Sequence, residues 1–172
     1  MSTTLKVGDA LPSVGLRATD GFLLNLRSFV TKQPALLLFF GAPTMAAAAR
    51  RRGTKAIESL VAGAERLHEA GIAVAGISTD SEQQQAKFVA DKNLPFLLLS
   101  DERRSAVELL GIETLADGAN VNVAKPVAIA VDRDGSIRAI LDPVDPETLV
   151  DDVMSALSEP IPTATEDASA AS

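Results

Sequence analysis

Chemistry in an α/β protein commonly begins where a buried strand gives way to a helix, because the free N–H groups of the helix N-terminus stabilise negative charge. Residues 39–53, FFGAPTMAAAARRRG, read as such a junction: an apolar run ends at Phe39-Phe40 and an alanine-rich helix follows within a few residues. The side chains on offer are mostly methyl groups. Thr44 brings a hydroxyl, read first as a helix N-cap and second as a polar group in a pocket. Met45 brings a thioether, which fills gaps in packing more often than it reacts. Arg50, Arg51 and Arg52 bring positive charge for an anion, but consecutive helical residues fan out around the axis and cannot all address one ligand.

The chain contains no cysteine. It therefore holds no thiol nucleophile, no disulfide and no thiolate metal ligand. A single histidine, His68, argues against a zinc site or a facial-triad metal site. His68 falls near the C-terminal end of a helix, where partial positive charge suits the dipole, and no serine stands in a nucleophile turn for it to serve. Neither a metal nor a cofactor is expected. Tryptophan and tyrosine are absent and the formal net charge is −7, which argues against nucleic acid or a membrane surface as partner. No apolar run approaches the ~20 residues that span a bilayer. The opening MSTTLKVGDALP has no basic region followed by an apolar one, so a cytoplasmic protein is expected.

The elements that must position the junction are legible from pattern. Turn signals at Gly8-Asp9 and Asp20-Gly21 make residues 8–26 a small hairpin or two short strands. Residues 35–40 (ALLLFF), 72–77 (IAVAGI), 96–99 (FLLL) and 127–131 (VAIAV) are continuous apolar runs, as in strands buried on both faces. Residues 44–70 read as a helix with Ile57, Leu60, Val61, Ala64 and Leu67 on its apolar stripe, a kink or break at Gly53 and Gly71 beyond its end. Ser81 to Gln84 (SEQQ) is a capping box opening a helix to Lys92, with Phe88 and Val89 inward. Asp101-Glu102 opens a further helix over about 102–110, ended by Gly111. Residues 112–124 read as irregular or weakly extended. DRDG, residues 132–135, turns the chain into a strand over 136–141. Asp145-Pro146 starts the last helix, with Leu149, Val150, Val153 and Leu157 buried. Residues 1–158 form one domain in this reading, and residues 159–172 a disordered acidic, small-residue tail. Alternating strands and helices give a mainly parallel sheet, with the hairpin 127–141 as an antiparallel edge.

Three stretches in this order carry a resemblance. KVGDALPSVGLRATDG, GIAVAGISTDSEQQQAKFVADKNLPFLLLSDE and KPVAIAVDRDGSIR resemble the N-terminal hairpin, the central "ISxD … LPFxLLSD" segment and the "RPxxFVIDxDGxIR" hairpin of peroxiredoxins of the alkyl hydroperoxide reductase/thiol-specific antioxidant family. The resemblance spans residues 5–157. It implies a thioredoxin-like α/β fold, a central mixed sheet with helices on both faces and an N-terminal β-hairpin, often as a homodimer.

Peroxiredoxins place the peroxidatic cysteine in the first turn of the helix after this strand, within a PxxxTxxC pattern. Counting on from Phe39-Phe40 without gaps sets Ala42 at the proline, Ala46 at the threonine and Ala49 at the cysteine. A shorter loop, as in CPxC relatives, sets the sulfur positions at Thr44 and Ala47 or at Met45 and Ala48. The family's arginine before the penultimate strand aligns with Lys125, which keeps the charge and loses the planar fork. Pro126 sits where thioredoxin-like proteins hold a cis proline; a trans proline leading into a strand is the alternative. Ala42, Ala46, Ala49 and Lys125 are thus vestigial positions, with Pro43, Thr44, Met45 and Pro126 around a candidate pocket. The resemblance implies a thiol peroxidase, and the missing sulfur implies a pseudoenzyme of an antioxidant family. A binding, regulatory or scaffold role is expected, with a protein partner or a small anionic or polar ligand. Non-thiol chemistry in the old pocket and an engineered Cys→Ala enzyme are the alternatives.

Overall fold

In a computed structural model of the chain, residues 5–31, 33–40, 47–112, 114–117, 120–124, 126–142 and 144–158 are described. The spine is a seven-stranded sheet in the order β2-β1-β5-β4-β3-β8-β9. Its strands are β1 (Gly15–Ala18), β2 (Leu23–Asn25), β3 (Ala35–Phe39), β4 (Ala73–Ser78), β5 (Leu97–Ser100), β8 (Val127–Val131) and β9 (Ile137–Leu141). A separate antiparallel pair joins β6 (Thr114–Asp117) to β7 (Asn120–Ala124). The helices are α1 (Leu26–Phe29), α2 (Ala47–Ala62), α3 (Ala64–Glu69), α4 (Glu82–Lys92), α5 (Ser105–Leu110) and α6 (Leu149–Ser158).

β3 lies near the middle of the sheet, parallel to β4 and antiparallel to β8, with Leu37 between Ala75 and Ile129. All five of its residues are buried, which is why its sequence is continuously apolar. Alternate side chains feed two cores. Leu37 and Phe39 pack with Leu99, Val107 and Ile129 on the face covered by α1 and α5. Leu36, Leu38 and Phe40 pack with Ile57, Leu60, Phe88, Leu149 and Val153 on the face covered by α2, α4 and α6. The sheet is mixed, with helices on both faces and the N-terminal hairpin β1–β2 at one edge. Only β3–β4 and β4–β5 pair in parallel, whereas β1–β2, β1–β5, β3–β8 and β8–β9 are antiparallel. "Mainly parallel" therefore overstates it, because a hairpin closes the sheet at each end.

Local differences have physical causes. The long helix runs through Gly53 and breaks at Gly63, between α2 and α3. A Cβ at Gly63 would lie 2.7 Å from Val150 Cγ2, so the close approach of α6 demands glycine at the break. Val61 is exposed rather than on the apolar stripe, which Ala56, Ile57, Leu60 and Leu67 occupy. Residues 114–117 and 120–124 are strands, in keeping with the alternating NVNV of residues 120–123. Asp145 caps a turn, its Oδ1 accepting from the Glu147 N–H at 3.0 Å, and α6 itself starts at Leu149. The capping box is present as read: Ser81 Oγ accepts from the Gln84 N–H at 3.2 Å and Gln84 Oε1 from the Ser81 N–H at 2.9 Å. The proposed tail, residues 159–172, lies outside the described residues.

Candidate functional site

The end of β3 is held from three sides. Phe39 pairs with Ile77 of β4 and Val127 of β8. The Phe40 N–H donates to the Ile77 carbonyl at 3.0 Å. Its ring sits 5.9 Å from that of Phe88, tilted by 37°. Gly76 makes room for that ring: a Cβ there would lie 2.9 Å from Phe40 Cε1 and 2.6 Å from Leu98 Cδ2. The chain thus leaves the sheet at a fixed point, and α2 starts at Ala47. Ala49 is the third residue of that helix, in the first turn, where N–H groups lack intrahelical partners. Pro126 is buried and immediately precedes Val127, so it stands beside the departing chain.

The fold therefore brings the first turn of α2, with Ala49, to the same end of the sheet as Pro126. Ala42, Pro43, Thr44, Met45, Ala46 and Lys125 lie outside the described residues. His68 is exposed in the last turn of α3, a helix length from the junction, as its dipole reading requires. No group of three or more metal-ligating side chains occurs among the described residues, and no helix there is long and apolar enough to cross a membrane.

Sequence reasoning missed a second polar region, at the carboxyl ends of β4 and β5. Ser78, Asp80, Gln85, Ser100 and Asp101 are all buried there. Gln85 Nε2 donates to Ser78 Oγ at 2.8 Å and to the Leu99 carbonyl at 2.7 Å. Ser100 Oγ donates to the Asp80 carbonyl at 2.7 Å. The Asp101 carboxylate accepts from the N–H groups of Ala106 (3.0 Å) and Val107 (2.8 Å), which fixes the start of α5. Burial pushes the Asp101 carboxyl above its ordinary range, against the pull of those N–H groups. The signal was present: the apolar runs of β4 and β5 both end in Ser and Asp, and the capping box phases Gln85 onto the buried stripe with Phe88.

A strand-to-helix junction at the end of a central strand, a buried proline heading the antiparallel neighbour and an N-terminal hairpin on the far edge define a thioredoxin-like fold of the peroxiredoxin kind. Residues 7–140 match the model of the AhpC/TSA family, and the chain belongs to that family. It is similar to peroxiredoxin Bcp of Escherichia coli (strain K12), with 28% identity over 157 residues, covering 90% of this chain and 97% of that protein. Among solved structures, peroxidoxin BcpB from Mycobacterium tuberculosis superposes with a TM-score of 0.77 at 22% identity, covering 90% of this chain and 97% of that one. Xanthomonas campestris peroxiredoxin Q gives a TM-score of 0.70 at 18% identity, covering 92% and 98%.

Proposed function

We propose that this chain is a cysteine-free member of its family that performs no thiol-peroxidase chemistry and acts by binding, as a regulator or scaffold. The observation that carries this reading is a family fold built around a chain with no thiol. Peroxide reduction by a peroxiredoxin starts with a thiolate attacking the O–O bond, and neither an alanine methyl nor a thioether supplies that anion. In the gap-free register the hydroxyl and the guanidinium that would hold the peroxide are also replaced, by Ala46 and Lys125. So many changes at one site favour a natural divergence over a single engineered Cys→Ala change.

The binding partner in this reading is a protein, with a small anionic or polar ligand seated between residues 41–50 and Lys125 beside Pro126. The working unit is a homodimer in the cytoplasm, with residues 159–172 as a disordered tail on a domain of residues 1–158. The test is direct. Purified, metal-free protein incubated with hydrogen peroxide and a dithiol reductant is expected to consume no more peroxide than the reductant alone. Catalytic turnover would overturn the reading. Thermal-shift measurements across small anions and polar metabolites test the ligand, and sedimentation velocity tests the dimer.

A further inference from the structure

A cleft of about 520 Å³ opens between β1, the start of α4 and the segment leading into α5, within the range of small-ligand sites (roughly 300–1,000 Å³). It exists because β5 ends early. In the antiparallel β1–β5 ladder the last pair is Arg17 opposite Ser100. The next residue of β1 to aim its backbone at β5 is Gly15. The alternation is fixed by the Leu26 N–H to Val14 carbonyl and Ala18 N–H to Phe22 carbonyl bonds on the β2 side and the Thr19 N–H to Leu98 carbonyl bond on the β5 side. Glu102 would stand opposite Gly15, but the chain has already turned away at Asp101 toward α5. Among the described residues nothing pairs with the N–H and C=O of Gly15 on that side, and Gly15 lines the cleft.

Gly15 is not a glycine for any internal reason. Its φ is not in the left-handed region. A Cβ placed there would meet only the Leu23 side chain, at 3.7 Å, an ordinary contact. Close approach of a ligand or another backbone is one of the few reasons for a strand glycine without conformational or packing need. The walls add charge of both signs. Arg17 and Arg103 line the cleft, as do Glu82 and Glu102. Neither glutamate forms an ion pair among the described residues, nor does Arg103. Leu23, 69% exposed, supplies an apolar flank.

We propose that this cleft binds a short extended peptide of about three residues, which pairs with Gly15 as an added strand. A donor and an acceptor set in strand geometry on one residue are matched together by another peptide backbone, whereas a carboxylate alone only accepts. The arginines take the carboxylate of such a peptide and the glutamates its ammonium group. The site is separate from the β3–α2 junction, and the proposal holds whether or not that junction retains chemistry.

The test uses ¹⁵N-labelled full chain and the unblocked tripeptide Lys-Ala-Glu, followed by amide chemical shifts. Saturable shifts are expected at Gly15, Arg17 and Ser105. N-methylation of the central amide, which removes strand pairing, is expected to weaken binding at least about tenfold. Gly15→Val, which sets a branched side chain where the peptide backbone must approach closely, is expected to abolish it. Arg103→Glu, at an exposed position, is expected to weaken it about tenfold and serves as the readout should Gly15→Val not fold. Shifts that map elsewhere, equal binding of the N-methylated peptide, equal shifts from free lysine plus glutamate, or unchanged binding by Arg103→Glu would each overturn the proposal.

Discussion

Gly63 and Val150 meet where α2 gives way to α3: a Cβ on residue 63 would lie 2.7 Å and 3.1 Å from the two Val150 methyl groups. Gly63 has φ −94°, which any residue adopts, so contact with α6 and not backbone conformation demands glycine here. Ser59 O, 3.3 Å from the same point, closes the other side. Gly63→Ala is therefore expected to destabilise the protein by about 1–3 kcal/mol, the usual cost of overpacking. In a double-mutant cycle read by urea denaturation, Val150→Ala is expected to recover at least ~0.5 kcal/mol of that loss. Simple additivity of the two changes would show that the contact with Val150 does not demand glycine here.

This contact also marks the boundary of what the sequence reveals. Patterns that act within one element were readable: the apolar runs of β3, β4 and β8, the Ser81–Gln84 capping box and the DRDG turn all appear where pattern places them. Features set by a distant partner were not. Gly53 and Gly63 are equal breakers as text, and only the packing of α6 selects Gly63. The position of β1 beside β5 leaves no local trace, so neither the cleft at Gly15 nor the buried network around Gln85 was foreseen. Of the candidate site, the junction after Phe40 and its neighbour Pro126 were legible, because a buried strand must end where its apolar run ends. Residues 41–46 and Lys125 lie outside the described residues.

Asp101 and Asp134 should bend the pH dependence of stability in opposite directions. Burial raises the Asp101 carboxyl above 3.8, so the folded state holds that proton more tightly than the unfolded chain. Its contribution is fully present below the unfolded value and is lost as pH rises through the folded one. The Ser136 hydroxyl, bonded to Asp134 Oδ1 at 2.6 Å, lowers the Asp134 carboxyl below 3.8. Its contribution is present above the unfolded value and is lost as pH falls through the folded one. Urea denaturation across roughly pH 3–6 checks both. The stability difference between wild type and Asp101→Asn is expected to fall with rising pH, and that between wild type and Asp134→Asn to grow. Parallel trends would contradict the assignment.

The β8–β9 hairpin encloses an ion pair, Arg138 Nη1 to Asp132 Oδ2 at 2.8 Å, with side chains 8% and 7% exposed. Asp132 Oδ1 also accepts the Arg133 N–H at 2.7 Å, so both carboxylate oxygens are engaged. Removing Asp132 takes this carboxylate away from a mostly buried guanidinium. Asp132→Ala is expected to cost about 3–5 kcal/mol. Adding Arg138→Met replaces the buried guanidinium by an apolar side chain and is expected to restore part of the loss, giving a double variant more stable than Asp132→Ala. Thermal unfolding of the three variants decides it; a double variant less stable than both singles would show that the pair is not an isolated electrostatic unit.

Restoring a thiol separates acidity from catalysis at the β3–α2 junction. Ala49 lies in the first turn of α2, where the helix N-terminus favours a thiolate. The thiol introduced by Ala49→Cys is therefore expected to titrate below the free value of ~8.5. Val61→Cys, near the other end of the same helix and exposed, meets the opposite pole of the dipole and should show no such lowering. The pH dependence of iodoacetamide alkylation reads both. A thiolate alone does not make a peroxidase. If Ala46 and Lys125 stand where a hydroxyl and a guanidinium held the peroxide, each missing donor costs roughly 10²–10³ in rate. Ala49→Cys is then expected to be alkylated readily at neutral pH while reducing hydrogen peroxide no faster than an ordinary thiol of the same pKa. Rapid turnover in that single variant would mean that the remaining machinery is intact, and that the chain is an inactivated peroxidase rather than a diverged one.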